Sequence, residues 1–321
     1  MTRRSSVPPP VTAVLDASSR WLPARLGEVE ELLRGSVGGH GELLGADASA
    51  TLEAGGKRMR PMLVLLCAGA EGGAPAVRAG AAIELVHMAT LVHDDVLDRA
   101  PLRRGLPTIV ASSGRPRAVA AGDLLFSRAF ALLADAGDSR SVSLLAEASV
   151  ALAQGELAQR QDAFDTAVSE QRYLDRCRLK TAKLFECACL LGHDAEPLRQ
   201  FGAEIGLAFQ LLDDVLDIAG PPERTGKARG TDLLDGTVTL PLIEAAQADP
   251  GIGSVDLRQL DPTAAEQLCD RIAATGALER VRARALAMIA AAKRRLPEAG
   301  FAPEQQRLLE LVADGVVQRY S

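Results

Sequence analysis

Twice in this chain an apolar run at helical spacing ends in the same five residues. Glu84-Leu-Val-His87-Met-Ala-Thr-Leu-Val-His93 leads into Asp94-Asp95-Val96-Leu97-Asp98, and a later apolar stretch leads into Asp213-Asp214-Val215-Leu216-Asp217. On a helix, positions i and i+4 share a face, so Asp94 and Asp98 point the same way, with Asp95 beside Asp98 at i+3. Like charges so placed repel, and carboxylates at a helix C-terminus also meet an unfavourable macrodipole. A chain that does this twice needs a neutralising partner, and a divalent cation is the one the pattern suggests.

The rest of the sequence agrees with helices. Among 321 residues, 47% are hydrophobic but only 3% aromatic, a composition suited to packed helices rather than a sheet. No strand-turn-strand unit stands out, so the expected fold is all-α: one helical bundle around a central cavity. No linker divides it, and the expected organisation is a tail over residues 1–12 followed by one domain over 13–321. The net charge of −6 argues against nucleic acid as a partner. The N-terminal segment has no apolar h-region, no uncharged run is long enough to span a membrane, and the five cysteines show no metal-finger spacing. Reduced thiols, a cytoplasmic location and no stable membrane insertion are therefore expected.

Helical periodicity runs from about Val11 to Leu33, and Gly35–Gly45 reads as a loop. A helix begins near Ala46 and breaks at Gly55-Gly56. The basic cluster Lys57-Arg58-Met59-Arg60 follows, with Pro61 suited to open the next helix at its first position. Such a cluster is either a solvated turn or an anion site at a helix start. Ala74–Asp98 is one long helix, and Arg99, Arg103 and Arg104 follow it. Helices are expected over Arg117–Ala136, Ser139–Asp162, Tyr173–Leu191 and Pro197–Ala219. A Gly-rich loop holds Lys227, and Leu240-Pro241, Ala264–Gly276, Leu278–Leu296 and Pro303–Val317 mark further helices.

Magnesium takes oxygen ligands in near-octahedral geometry, commonly one or two carboxylates completed by waters and substrate phosphates. Two Asp-rich helix ends facing a cavity would hold such ions against a diphosphate and stabilise its departure. Lys180, Lys227 and Arg103 would complete an electropositive cage, while Lys57, Arg60 and Arg104 would hold a second diphosphate without metal. The apolar helix before Asp94 suits the wall of a hydrocarbon channel.

Taken in order, these motifs resemble the trans-isoprenyl diphosphate synthases of the polyprenyl synthetase family, and the long-chain members in particular. The match is carried by Gly55-Gly-Lys-Arg-Met-Arg-Pro61, Glu84-Leu-Val-His87, Asp94-Asp-Val-Leu-Asp98, Arg103-Arg-Gly105 and Gly122-Asp123. It continues through Lys180-Thr-Ala182, Phe209-Gln210, Asp213-Asp-Val-Leu-Asp217 and Gly226-Lys227. The resemblance implies the isoprenoid-synthase bundle and Mg²⁺-dependent, head-to-tail condensation of isopentenyl diphosphate with an allylic diphosphate. It implies that Lys57, Arg60, His87 and Arg104 hold isopentenyl diphosphate. Asp94, Asp95, Asp98, Asp213, Asp214 and Asp217 would hold about three Mg²⁺ ions on the allylic diphosphate. Arg103, Lys180, Gln210 and Lys227 would grip that diphosphate, with Thr181 beside the nascent cation. His93 reads as a structural neighbour of the acidic motif.

One position departs from the family: Thr237 stands where Gly-Lys-x-Thr-Leu-Pro carries a lysine, which removes one expected contact to the allylic diphosphate. Ala89 and Thr90, five and four residues before the first aspartate, are small where bulky residues stop chain growth early. The resemblance thus implies a long product, with Phe126 or Phe130 as its floor or as ordinary core. A short-chain synthase, a cyclase of similar fold and a non-catalytic subunit of a heteromeric synthase are the alternatives. The basic cluster speaks against the cyclase and the intact acidic motifs against the inert subunit. Unassigned amphipathic faces suggest a homodimer.

Overall fold

A computed structural model of the protein describes residues 9–18, 21–103, 105–220 and 229–318. Helices α1 (Pro9–Ala17), α2 (Trp21–Val37), α3 (Glu42–Glu53), α4 (Met59–Ala68) and α5 (Gly73–Leu97) open the chain. A hairpin of β1 (Leu102–Arg103) and β2 (Leu106–Pro107) precedes α6 (Ile109–Ser113), α7 (Arg115–Ala134), α8 (Ser139–Gln161) and α9 (Glu170–Cys177). After a turn of π-helix over Arg178–Ala182 come α10 (Lys183–Gly192) and α11 (Glu196–Ala219). The C-terminal part adds Leu240–Ala248, Pro262–Ala274, Ala277–Arg295 and Pro303–Gln318 with short helical turns between them. The fold is all-α, as expected.

Local chemistry sets several boundaries. The Ser169 hydroxyl accepts from the Arg172 amide, Thr108 from Ala111 and the Asp261 carboxylate from Ala264, each occupying a donor that a helix start leaves unpaired. Five sequence expectations shift. The first expected helix is two, α1 and α2, and the Gly35–Gly45 loop is mostly helical at both ends. Pro61 lies inside α4 rather than at its first position, because Arg58 supplies the N-cap in a left-handed conformation at φ 48°. A hairpin is present where no strand was expected, with Leu102 paired to Pro107 and Arg103 to Leu106. The helix expected over Tyr173–Leu191 is interrupted by the π turn.

The chain packs as two compact units, neither of them a continuous stretch. Unit 1 draws on Met1–Ser149, Cys187–Arg199 and Ala299–Val312; unit 2 draws on Val150–Glu186, Gln200–Glu298 and Ala313–Ser321. In unit 1, α5 is the central helix, mostly apolar and buried along most of its length against α2, α4 and α7. Ala70–Leu97 is long and apolar enough to cross a membrane, yet 72% of its most apolar window is buried inside the protein, as in a core helix. Ala118, Ala121, Gly122, Leu125 and Ala129 line the buried side of α7, so the two helices meet through small residues. In unit 2, Tyr173, Phe185, Phe201 and Leu211 are almost completely buried.

Candidate active site

In unit 1, α5 ends at the first acidic motif. Asp98 caps the helix, its amide donating to the Asp94 carbonyl at 2.8 Å. Asp94 is half-buried and Asp98 exposed, whereas Asp95 is 6% exposed and turned into the protein. There Arg103 donates to one Asp95 oxygen through Nε at 2.8 Å and approaches it through Nη2 at 2.7 Å. The unforeseen hairpin is what delivers Arg103, since it folds the chain after α5 back over that helix end. Arg103 and Asp95 thus form a charge-assisted pair.

Beside this pair lies a cavity of about 280 Å³ whose walls include Gly55, Arg58, Glu84, His87, Asp95 and Arg103. Arg58 donates to Glu84 at 2.9 Å and to Glu30. Burial pulls the Arg58 pKa down, but the two carboxylates outweigh it and the net shift is upward. The sequence had singled out Lys57 and Arg60, which flank Arg58 and are half-buried, and had not singled out Arg58 itself. The signal was Glu84, a charged residue within an otherwise apolar helix, 3% exposed in the structure. His87 lies on the cavity wall. Ala89 is fully buried, while Thr90 is half-buried and donates to the His87 carbonyl at 2.8 Å. His93 stacks on Phe126 with ring centroids 5.8 Å apart and sits against Gly122, where a Cβ would lie 2.1 Å from the imidazole Nε2. Phe130 is half-buried on the same helix.

Unit 2 carries the second motif on α11. Asp213 and Asp217, one turn apart, are half-buried, and the Asp217 carboxylate accepts from the Asp232 amide at 3.2 Å. Asp214 is 2% exposed and both its oxygens are engaged: one accepts from the Tyr173 hydroxyl, the other from Gln210 Nε2 at 2.7 Å. Gln210 Oε1 in turn accepts from the Thr181 hydroxyl at 2.7 Å. Burial, with the Asp232 and Asp213 carboxylates adding to it, raises Asp214 to about 8 against the opposing bonds from Tyr173 and Gln210. Burial likewise holds Tyr173 well above its ordinary range and pushes Cys177, which contacts Tyr173, up to about 12.

Lys180 and Thr181 both sit on the π turn, a bulge that re-aims side chains within a helix. Gly155 of α8 makes room for it, because a Cβ there would meet the Lys180 backbone nitrogen at 2.5 Å. The next residue, Glu156, pairs with Lys180 and accepts from Arg160 Nε at 2.7 Å. Burial raises the Glu156 pKa, but these two cations outweigh it and the net shift is downward. Neither Glu156 nor Tyr173 was assigned from the sequence; Tyr173 entered only as the start of the expected helix Tyr173–Leu191. Thr237 is half-buried and its amide donates to the Asp232 carbonyl at 2.8 Å. Arg104 and Lys227, both expected at the site, lie outside the described residues.

The donor set suits a hard cation. In each motif, two carboxylates one turn apart keep contact with the surface. Among the described residues, no three metal-binding side chains converge into a self-sufficient cage. Paired carboxylates completed by ligand oxygens are the arrangement Mg²⁺ accepts most readily.

Residues 42–268 match the polyprenyl synthetase family. The chain belongs to that family. It is 42% identical over 241 residues to heptaprenyl diphosphate synthase component 2 of Geobacillus stearothermophilus, covering 72% of this chain and 75% of the relative. It is 37% identical over 250 residues to octaprenyl diphosphate synthase of Escherichia coli, covering 72% and 76% respectively. Among solved structures, a polyprenyl synthase from Caulobacter crescentus in complex with calcium and isoprenyl diphosphate superposes with a TM-score of 0.89 at 33% identity, over 95% of this chain and 98% of that one. A decaprenyl diphosphate synthase from Rhodobacter capsulatus gives 0.87, also at 33% identity, over 95% and 99%. Like its relatives, this polyprenyl synthetase is a prenyltransferase of isoprenyl diphosphates, and the family generally uses Mg²⁺.

Proposed function

We propose that this polyprenyl synthetase condenses isopentenyl diphosphate with an allylic diphosphate and repeats the step to a long-chain trans-polyprenyl diphosphate. The observation that carries this is a division of labour repeated in both acidic motifs. In each, the middle aspartate is turned inward and bonded, Asp95 to Arg103 and Asp214 to Tyr173 and Gln210. The outer aspartates, Asp94 with Asp98 and Asp213 with Asp217, keep their contact with the surface. Two outward carboxylates on one face are oxygen donors to Mg²⁺, and the inward one fixes their helix end.

In this reading Lys57, Arg60, His87 and Arg104 bind the isopentenyl diphosphate. Arg103, Lys180, Gln210 and Lys227 grip the allylic diphosphate, and Thr181 lies beside the carbon that becomes electrophilic. Mg²⁺, about three ions per site, supplies Lewis acidity toward the departing diphosphate. The chain's residues orient the two substrates and keep water from the cation, and the released diphosphate takes the proton lost after carbon–carbon bond formation. Where the family resemblance leads one to expect a lysine, Thr237 offers no positive charge, so Lys180 and Lys227 have the larger share of allylic binding.

The long-chain reading rests on the hepta- and octaprenyl relatives and on the small residues Ala89 and Thr90. We also propose a homodimer in the cytoplasm. The Geobacillus relative is named as a component, which makes a heteromeric assembly the alternative that light scattering of the purified chain would separate from a dimer. Purified protein is incubated with Mg²⁺, labelled isopentenyl diphosphate and dimethylallyl, geranyl, farnesyl or geranylgeranyl diphosphate in turn. A ladder ending at one long length is expected, with no elongation after chelation by EDTA. A product that stops at farnesyl or geranylgeranyl length would give the short-chain reading, and no elongation with any primer would give the non-catalytic subunit.

A further inference from the structure

Four side chains of unit 2 form an unbroken hydrogen-bonded row that ends at the residue proposed to face the reacting carbon. Tyr173 donates to Asp214, Gln210 donates to the other Asp214 oxygen at 2.7 Å, and Thr181 donates to Gln210 at 2.7 Å. Three of the four are closed off from solvent: Tyr173 is 1% exposed, Asp214 2% and Thr181 8%. We infer that Tyr173 is a positioning residue for the prenyl transfer proposed above, locking Gln210 in one amide orientation so that Thr181 keeps its lone pairs, not its proton, for the reacting carbon. The inference rests on that proposed reaction.

The logic is that of donor and acceptor counting. Asp214 accepts from Tyr173 through one oxygen and from the NH₂ end of Gln210 through the other, which turns the carbonyl end of Gln210 toward Thr181. A hydroxyl has one proton, and Thr181 gives it to that carbonyl. What remains on the Thr181 oxygen is lone pairs, the polarity that stabilises positive charge developing nearby. Tyr173 holds the far end. Without its hydroxyl, one Asp214 oxygen would be a buried acceptor lacking a donor, which favours rotation of the carboxyl. A rotated Asp214 releases the Gln210 NH₂, the amide is free to flip, and Thr181 must then accept and direct its own proton outward. The tyrosine ring is held independently of this hydroxyl, because the buried Arg176 guanidinium lies over it at 5.2 Å from the centroid. Replacing the hydroxyl alone therefore leaves the packing of the ring in place.

The test is a double-mutant cycle on the single-turnover rate with an allylic primer, which separates chemistry from product release. Tyr173→Phe and Thr181→Val are each expected to slow that step about tenfold and to leave the KM for the allylic diphosphate within about twofold. The double variant is expected to be no slower than the worse single one, since both act on the same oxygen. Losses that multiply in the double variant would overturn the inference, as would a Tyr173→Phe protein that reacts at the wild-type rate. A fall in melting temperature without a change in the single-turnover rate would reduce Tyr173 to a structural role and overturn it too. A wild-type chain that fails to elongate any primer overturns the parent reading and this one together, so failures of the two are told apart by the wild-type control.

A second measurement needs no substitution at Tyr173. The chain has two tyrosines, Tyr173 and Tyr320, so uniform 3-fluorotyrosine labelling gives two fluorine resonances, assigned with Tyr320→Phe. Thr181→Val should move the Tyr173 resonance through the row of hydrogen bonds. An unmoved resonance would sever Tyr173 from Thr181 and overturn the proposal even if Tyr173→Phe cannot be purified.

Discussion

At the scale of single residues, the site is built on charges placed inside the protein with their partners. Arg58 is the clearest case: it joins Glu84, 3% exposed, and Glu30 at the wall of the unit 1 cavity. Removing one member of such a pair costs more than the pair contributes, because the other charge is left buried alone. Arg58→Ala should therefore lose about 3–5 kcal/mol in denaturant titration, a size reserved for broken buried pairs. Arg58→Ala with Glu84→Gln should recover part of that loss. Glu156 makes a prediction with a sign. Its pKa is lowered from the ordinary 4.5 because Lys180 and Arg160 outweigh burial. A lowered folded-state value means that the stabilisation is complete above the unfolded value and fades as pH falls through the folded one. The stability gap between wild type and Glu156→Gln should accordingly hold near neutrality and close below about pH 4.5. A gap unchanged down to acid unfolding would show that the pair with Lys180 contributes nothing.

At the scale of elements, glycines decide how closely helices approach the reacting groups. The π turn that carries Lys180 and Thr181 is enclosed by two of them: a Cβ on Gly155 would lie 2.5 Å from the Lys180 nitrogen, and one on Gly206 would lie 2.8 Å from the Ala182 Cα. Backbone cannot move aside as a flexible side chain does, so Gly155→Ala must displace α8 or re-form the turn. The expected cost is about 1–3 kcal/mol of stability, the usual range for overpacking. A fall in prenyl transfer should accompany it that persists at temperatures where the variant is fully folded. Full activity in a folded Gly155→Ala protein would mean that the turn tolerates rearrangement. The sequence showed Gln154-Gly155-Glu156 but not its meaning, because close approach depends on a partner helix that periodicity does not name. The π turn was illegible for the same reason, since its residues keep helical spacing on either side. The hairpin escaped notice because strands of two residues leave no alternation to detect. By contrast the helices themselves were legible to within a few residues, as the expected Pro197–Ala219 matches α11 at Glu196–Ala219.

At the scale of the whole molecule, the functional motifs were readable because diphosphate chemistry constrains residue type and order together. What stayed hidden was which aspartate of each motif faces inward, since that depends on Arg103 and Tyr173 arriving from elsewhere in the chain. The same distinction between type and surroundings governs product length. Ala89 and Thr90 are both small and were read together as positions where a bulky residue would stop chain growth early, so that the floor lies deeper. Their environments differ: Ala89 is fully buried, whereas Thr90 is half-buried on the helix that lines the unit 1 cavity. An aromatic ring at a fully buried alanine has to displace packed neighbours, so Ala89→Phe is expected to act on stability, lowering the melting temperature before it acts on product size. Thr90→Phe replaces a half-buried side chain and gives up the bond to the His87 carbonyl, and the family resemblance makes it a position from which a ring obstructs a lengthening chain. It is expected to shorten the dominant product while leaving the first condensation near the wild-type rate, because the early intermediates are too short to reach it. Sizing the dephosphorylated products of both variants beside the wild type decides the matter. A Thr90→Phe enzyme that still releases wild-type-length product would move the growing chain to a different face of α5, and His93 stacked on Phe126 would become the wall to alter next.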